Sequence, residues 1–365
     1  MTSDRSNRPN GGARLLAVVA AAAVLVALAA PAADARRHPR KTARLETTQT
    51  LIGMRAAAPS DPYSFEAVNA WQGKRNAIGT IFRRTNTPND QLVAKLAEVW
   101  ASGAVPMLSI DLVDSNATIA SGARDEQIDA TALAIKTWLS GPDGSYGTAD
   151  DRRIYLRLAW EPNGNWYRWS PCHADGGTAA DYRRMWVRYH KRYRRLGIDR
   201  SHLAWVFSVN QTDWKTDACT AESLYPGHKY VDWLGIDGYT WSFGQGPAEV
   251  FGPMAARLRA MAPGTPLGIN EAGVHRDATI GKSAYLTAYF EWIRANDIGM
   301  AVWFNIDKEK DWSVFGGLPG DEHFTHDGQA HLAWKAYRLG VAAPNIVGSD
   351  PTNPRLLTDA QFLPR

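Results

Sequence analysis

Eight short apolar runs, separated by longer amphipathic ones, constrain the fold more than any other feature of this 365-residue chain. The runs are Leu51–Arg55, Ala77–Phe82, Val105–Ile110, Ile154–Ala159, Leu203–Ser208, Val231–Ile236, Leu267–Asn270 and Met300–Phe304. Apolar residues at helical spacing predict helices near Asp90–Ala101, Asp125–Leu139, Thr178–Leu196, Pro247–Met261, Gly281–Asn296 and Gln329–Leu339. Strands alternating with helices build a parallel sheet. Eight of them close it into an α/β protein of the (β/α)8 TIM-barrel class, a single domain over residues 49–340. A doubly wound open sheet is the competing arrangement. It is disfavoured because no Gly-x-Gly-x-x-Gly turn follows any strand.

The flanks read differently. Met1 to Arg14 is polar with three Arg, Leu15 to Ala30 is an unbroken apolar run, and Ala33-Asp34-Ala35 follows. A basic region, a short apolar core and an Ala-x-Ala ending are the parts of a secretory signal peptide over residues 1–35. The run is short for a membrane span. A secreted (extracellular) protein is therefore expected, with no membrane contact once the leader is cut. Residues 36–48 read as a basic N-terminal tail. Residues 341–365 carry several Pro and lack periodicity, and so read as a C-terminal tail. Two Cys in an exported chain predict a disulfide between Cys172 and Cys219. The net charge of +4 is too small and too dispersed for a nucleic-acid partner. A monomer is expected.

In such barrels chemistry sits at the C-terminal ends of the strands. There the fourth strand runs into Arg157-Leu158-Ala159-Trp160-Glu161-Pro162-Asn163-Gly164-Asn165-Trp166. Aromatic rings stack on sugar faces and amides bond sugar hydroxyls, so Trp160, Trp166 and Asn163 are candidate ligands of a polysaccharide. The excess of Trp, 15 in all, fits that reading. Trp169, Trp241 and Trp312 are further candidate platforms. The seventh strand ends in Glu271 and the sixth in Asp237 and Tyr239. Alternation puts Arg157 and Glu161 on one face. Arg157 and Asp237 are candidate substrate ligands too, although an inward Arg157 needs an anionic partner, Glu271 or Asp237. Arg157 beside Glu271 would hold that carboxyl ionised, while the apolar nest of Glu161 keeps it protonated longer. One lowered and one raised carboxyl is the division of labour of a retaining glycosidase. The His residues form no metal-spaced set, and no metal or cofactor is called for. The loop Gly141–Asp151 reads as a tight turn, because it lacks the spacing of a Ca²⁺ loop. The Arg-rich side of Thr178–Leu196 reads as a solvated helix face.

These residues resemble glycoside hydrolase family 26, the β-mannanase family of clan A. Arg157–Tyr167 resembles its acid/base segment, Val231–Tyr239 its sixth strand, Asn270-Glu271-Ala272-Gly273 its nucleophile strand and Ala301–Asn305 its eighth strand. The likeness spans about residues 50–340. It implies Glu161 as acid/base, Glu271 as nucleophile, Tyr239 as a hydrogen-bond donor to the nucleophile, Trp303 as the platform beneath the cleaved sugar and Trp166 as a wall of the adjoining subsite. It implies a retaining, metal-free endo-acting enzyme on β-1,4-mannan. Two departures bear on the sugar. Trp160 stands where the family's mannanases usually have His, and Ser109-Ile110-Asp111 stands where they have an aromatic-His pair. β-Glucan and β-xylan therefore stay open as substrates, as does a non-catalytic carbohydrate-binding barrel.

Overall fold

The computed structural model describes residues 49–364, apart from 56–63, 85, 215–216, 242–243, 278–279 and 318. The expected leader and basic tail lie outside the described residues. Eight parallel strands form the closed sheet: β1 (Thr50–Arg55), β2 (Ile78–Arg83), β3 (Val105–Ile110), β4 (Ile154–Leu158), β5 (Leu203–Asn210), β6 (Trp233–Tyr239), β7 (Leu267–Gly273) and β8 (Met300–Trp303). Each pairs with the next, and β1 pairs with β8, which closes the barrel. The helices α1 (Phe65–Gln72), α2 (Asn89–Ala101), α3 (Asn116–Ser121), α4 (Asp125–Leu139), α5 (Ala179–Arg195), α6 (Ala221–Leu224), α7 (Pro247–Met261) and α8 (Lys282–Ala295) lie between the strands.

Local chemistry sets these limits. Thr178 caps α5 in a capping box with Asp181, as its position before the periodic run predicts. The helix buries Tyr182, Met185, Trp186, Tyr189 and Tyr193. Its charged side is tied to α4: Arg188 pairs with Asp125, and Arg192 pairs with Asp129. The loop Gly141–Asp151 is a turn whose carboxylates are spent close by. Asp150 accepts from the backbone N–H of Asp143, and Asp151 accepts from that of Gly147 and contacts His202.

Two expectations change. Gln329–Leu339 is not one helix. Asp327 and Gly328 both have positive φ, 47° and 77°, and make a hairpin turn. The turn joins β9 (Glu322–His326) to β10 (Gln329–Ala333), and the helix α9 (Lys335–Val341) follows. The segment read as a C-terminal tail packs as part of the barrel. Its strand β11 (Ile346–Val347) pairs with β1, and Leu356, Leu357 and Phe362, the last on α10 (Asp359–Phe362), join the buried cluster of Tyr155, Val206, Trp233 and Met300. Arg153 donates to the carbonyl of Leu357 (2.9 Å), and Trp233 Nε1 donates to that of Phe362 (2.9 Å). These residues floor the barrel interior. Irregular turns and a four-residue helix carry them, so no periodicity marks them in sequence.

Removing the floor's aromatic plug should be costly. Phe362→Ala is expected to destabilise the fold by about 3–5 kcal/mol, the usual range for a fully buried Phe. Urea denaturation measures it. A change below about 1 kcal/mol would mean that the segment is not part of the core.

Candidate active site

Strand β4 ends at Leu158, and the chain then leaves extended geometry. Ala159 (φ 44°) and Glu161 (φ 49°) both adopt the left-handed region. Such residues cost on the order of 1–3 kcal/mol each, and they persist only where the surroundings fix them. Here they do. Ala159 N–H donates to Ile110 on β3, and Glu161 N–H donates to Ser208 on β5, both at 2.9 Å. Tyr182 Oη donates to the carbonyl of Ala159 (3.0 Å), and Trp169 Nε1 donates to that of Trp160 (2.8 Å). The simple alternation expected for Arg157 and Glu161 thus stops at Leu158. A stitched turn, not strand phase, brings Glu161 to the cleft.

Glu271 reaches the same cleft by a bulge. Ile236 pairs with Ile269, but Asp237 pairs with Glu271, so Asn270 is the extra residue. Asn270 turns towards Ser208 (3.1 Å). Gly235 leaves it the room, since a Cβ there would lie 1.7 Å from Asn270 Nδ2.

Arg157 lies beneath both carboxyl groups, with no solvent exposure. Its Nη1 donates to both oxygens of Asp237 (3.0 and 3.1 Å), its Nη2 to Glu271 Oε1, and its Nε to Ser109 Oγ (2.8 Å). Both partners expected from sequence are present. Phe82 and Trp160 cover the guanidinium, with ring centroids 5.4 and 5.5 Å from its carbon. Tyr239 Oη donates to Glu271 Oε2 (2.5 Å). Burial, and then the charge of Glu271, hold this phenol protonated. Glu161 has no cation of its own. Its Oε1 accepts from Asn210 Nδ2 (2.8 Å) and its Oε2 from Trp166 Nε1 (2.9 Å). Burial, and then the charge of Glu271, push its carboxyl up to about 7, against these two donors.

Two aromatic clusters line the cleft, Trp160, Trp166 and Tyr167 in one and Tyr239, Trp241 and Trp312 in the other. Trp166 and Trp241 are 46% and 54% exposed, so each offers an open ring face. Cys172 and Cys219 are joined, Cα to Cα 5.8 Å, and tie the loop after β4 to the loop after β5. Among the described residues, one His/carboxylate group is close enough to hold a cation. It comprises Glu66, His326 and Asp327, it includes neither Glu161 nor Glu271, and two of its members are exposed.

Four residues expected to bind substrate sit elsewhere, the fully enclosed Arg157 among them. Trp303 is buried behind the sheet, against Tyr289 and Tyr337. Met300 and Val302 take the inward positions of β8, and alternation turns Trp303 outward. Its Nε1 donates to the carbonyl of Trp312 (2.9 Å), so it supports a cleft residue rather than lining the cleft. Asn163 is fully enclosed, bonded to Asn210 and Asp213. Asp237 is likewise enclosed, taken up by Arg157 and Ser208. Asn210 escaped notice because β5 runs two residues beyond the apolar run that marks it.

Comparison with known proteins finds similar sequences and a similar fold. Residues 149–263 match the family model described as Glycosyl hydrolase family 26. The chain is 29% identical over 229 residues to Endoglucanase H of Acetivibrio thermocellus, covering 59% of this chain and 23% of that protein. It is 26% identical over 161 residues to a mannan endo-1,4-beta-mannosidase of Bacillus subtilis, covering 40% of this chain and 42% of the relative. The chain thus spans less than half the length of these curated relatives. In fold it is similar to a modular endo-beta-1,4-mannanase from Cellulomonas fimi, with a TM-score of 0.59 and 17% identity over 88% of this chain and 75% of that one.

The raised carboxyl has a consequence for stability. Folded Glu161 keeps its proton to about pH 7, whereas an unfolded Glu releases it near ~4.3. The folded state therefore binds the proton more tightly, and the fold loses stability as pH rises between those values. Glu161→Gln cannot ionise and escapes that loss. It should be more stable than the parent by on the order of 3 kcal/mol at about pH 8, and equal to it at about pH 4. Denaturant titrations at the two pH values measure this. A variant no more stable at the higher value would contradict the raised carboxyl.

Proposed function

We propose that this chain, residues 149–263 of which match the glycoside hydrolase family 26 model, is a secreted, retaining endo-β-glycanase of that family that cuts internal β-1,4 linkages of mannan-type polysaccharide. The observation that carries this reading is the contrast between the two carboxyl groups in one cleft. Glu271 is held by a guanidinium and a phenol, and Glu161 has only neutral donors and no cation. The first is placed to attack an anomeric carbon. The second is equipped to carry a proton to the leaving oxygen. A covalent glycosyl-enzyme would form on Glu271, and Glu161, now deprotonated, would draw the proton from the water that releases it. Arg157 and Tyr239 would balance the charge on Glu271 as it rises and falls. Endo action is supported by exposed Trp in both clusters, which lets a polymer pass through. The leader-like N-terminus and the disulfide support export.

Mannan is placed first because the Bacillus subtilis relative is named for it. β-Glucan is the rival, and the relative named Endoglucanase H favours it. Trp160, whose ring covers Arg157 and has no titratable nitrogen to exchange with Glu161, weakens the case for mannan without pointing to another sugar.

Incubation of the mature chain with mannan, mixed-linkage glucan, xylan and cellulose, followed by product analysis, separates these. Glu161→Ala and Glu271→Ala should each lose at least a hundredfold in kcat while still binding polysaccharide. A variant that keeps full activity removes its residue from the mechanism. The anomeric configuration of the first product, read by NMR, should match that of the substrate bond. An inverted product would exclude Glu271 as a nucleophile. Activity should fall as pH rises through about 7, where Glu161 gives up its proton.

A further inference from the structure

Asn163 makes no contact with the cleft, yet its whole bonding capacity is spent two residues from Glu161. Its Oδ1 accepts from Asn210 N–H (2.8 Å). Its Nδ2 donates to the Asn210 carbonyl (3.0 Å) and to Asp213 Oδ1 (2.9 Å). Its own carbonyl accepts from Trp214 N–H (2.7 Å). One buried side chain thus reads the backbone after β5 as a neighbouring strand would. Asn210 is in turn fixed in one orientation. Thr212 N–H donates to its Oδ1 (3.1 Å), so its amide N–H₂ is left facing Glu161 Oε1. Asp213 is anchored from behind by Arg257 (2.5 Å) and by Ala221 N–H (3.2 Å). The chain of contacts runs from a rigid loop anchor, through Asn163 and Asn210, to the carboxyl group.

Resting on the acid role of Glu161 above, we infer that Asn163 is a positioning residue. It clamps the start of the loop after β5 so that Asn210 presents its amide donor to Glu161. It touches neither substrate nor reacting atom. Removing the clamp lets the Asn210 amide drift, and the carboxyl loses one of its two donors. Those donors favour the ionised form, so their loss leaves Glu161 protonated to higher pH and less well aimed at the leaving oxygen.

The test compares kcat/KM against pH for the parent chain, Asn163→Ala, the isosteric Asn163→Asp, Asn210→Ala, and the double variant Asn163→Ala/Asn210→Ala. Two probes are used: carob galactomannan and 2,4-dinitrophenyl β-mannobioside. Barley β-glucan and the matching cellobioside replace them if the panel selects glucan. The first probe needs the acid, and the second has a leaving group that departs unprotonated. With the polysaccharide, Asn163→Ala should lower kcat/KM between about tenfold and a hundredfold. It should also move the high-pH limb up by about one unit. With the activated substrate, kcat/KM should stay within about threefold of the parent, since acid assistance is not needed. The double variant should shift the limb no further than Asn210→Ala alone, because the two act in series. Thermal melts identify which Asn163 variant is folded, and either one suffices to read the profile. An unmoved limb, equal losses on both probes, or additive shifts in the double variant would overturn the inference and leave Asn163 a structural residue. A Glu161→Ala control that still cleaves polysaccharide at the parent rate would overturn the acid assignment itself, which is a distinguishable failure.

Discussion

A fully buried guanidinium, that of Arg157, is the constraint on which the rest depends. Burying one charge without partners costs several kcal/mol, and a second or third charge raises the stakes. The barrel meets this with Asp237 and Glu271 on adjacent strands and with Ser109 on the other side. The phase of β3, β4, β6 and β7 at this level is set by who must face that cation. The bulge at Asn270 and the missing Cβ at Gly235 are the accommodations that let both carboxylates arrive. Trp160 and Phe82 then seal it from above, which strengthens every interaction inside.

Much of this was legible in the sequence, and the reasons are physical. Eight apolar runs with helical spacers leave few topologies other than a closed barrel. An inward Arg on β4 requires an anion, and only β6 and β7 end in one nearby. What failed depended on information that periodicity does not carry. Trp303 has the composition of a sugar platform, but its side of the sheet follows from the register with β1, which places Met300 and Val302 inside. Asn163 reads as a sugar ligand because its amide lies beside Glu161, yet a loop 47 residues later returns to consume it. The floor formed by Leu356, Leu357 and Phe362 is made of turns and one four-residue helix, too short for a period to show.

The two carboxyl groups differ in their immediate partners. Glu271 sits on a cation, and Glu161 sits on an amide and an indole. The segment around Glu161 also stores strain, with Ala159 and Glu161 both left-handed. Such backbone is held by neighbours, and the disulfide between Cys172 and Cys219 belongs to that support, because it ties together the two loops that supply Trp166 and Asn210.

The barrel's floor bears on how the chain comes into being. Strand β1 pairs with β8 and with β11, and Thr50 Oγ1 bonds the carbonyl of Ile298, 248 residues away. Phe362 then closes the bottom against Tyr155 and Trp233. While the chain is still emerging from a ribosome, its first strand has only one neighbour and its interior has no floor. The final structure therefore waits on these distant segments, and contacts this far apart in sequence form slowly. Strand β1 gains its remaining neighbours, β8 and β11, only from segments far along the chain.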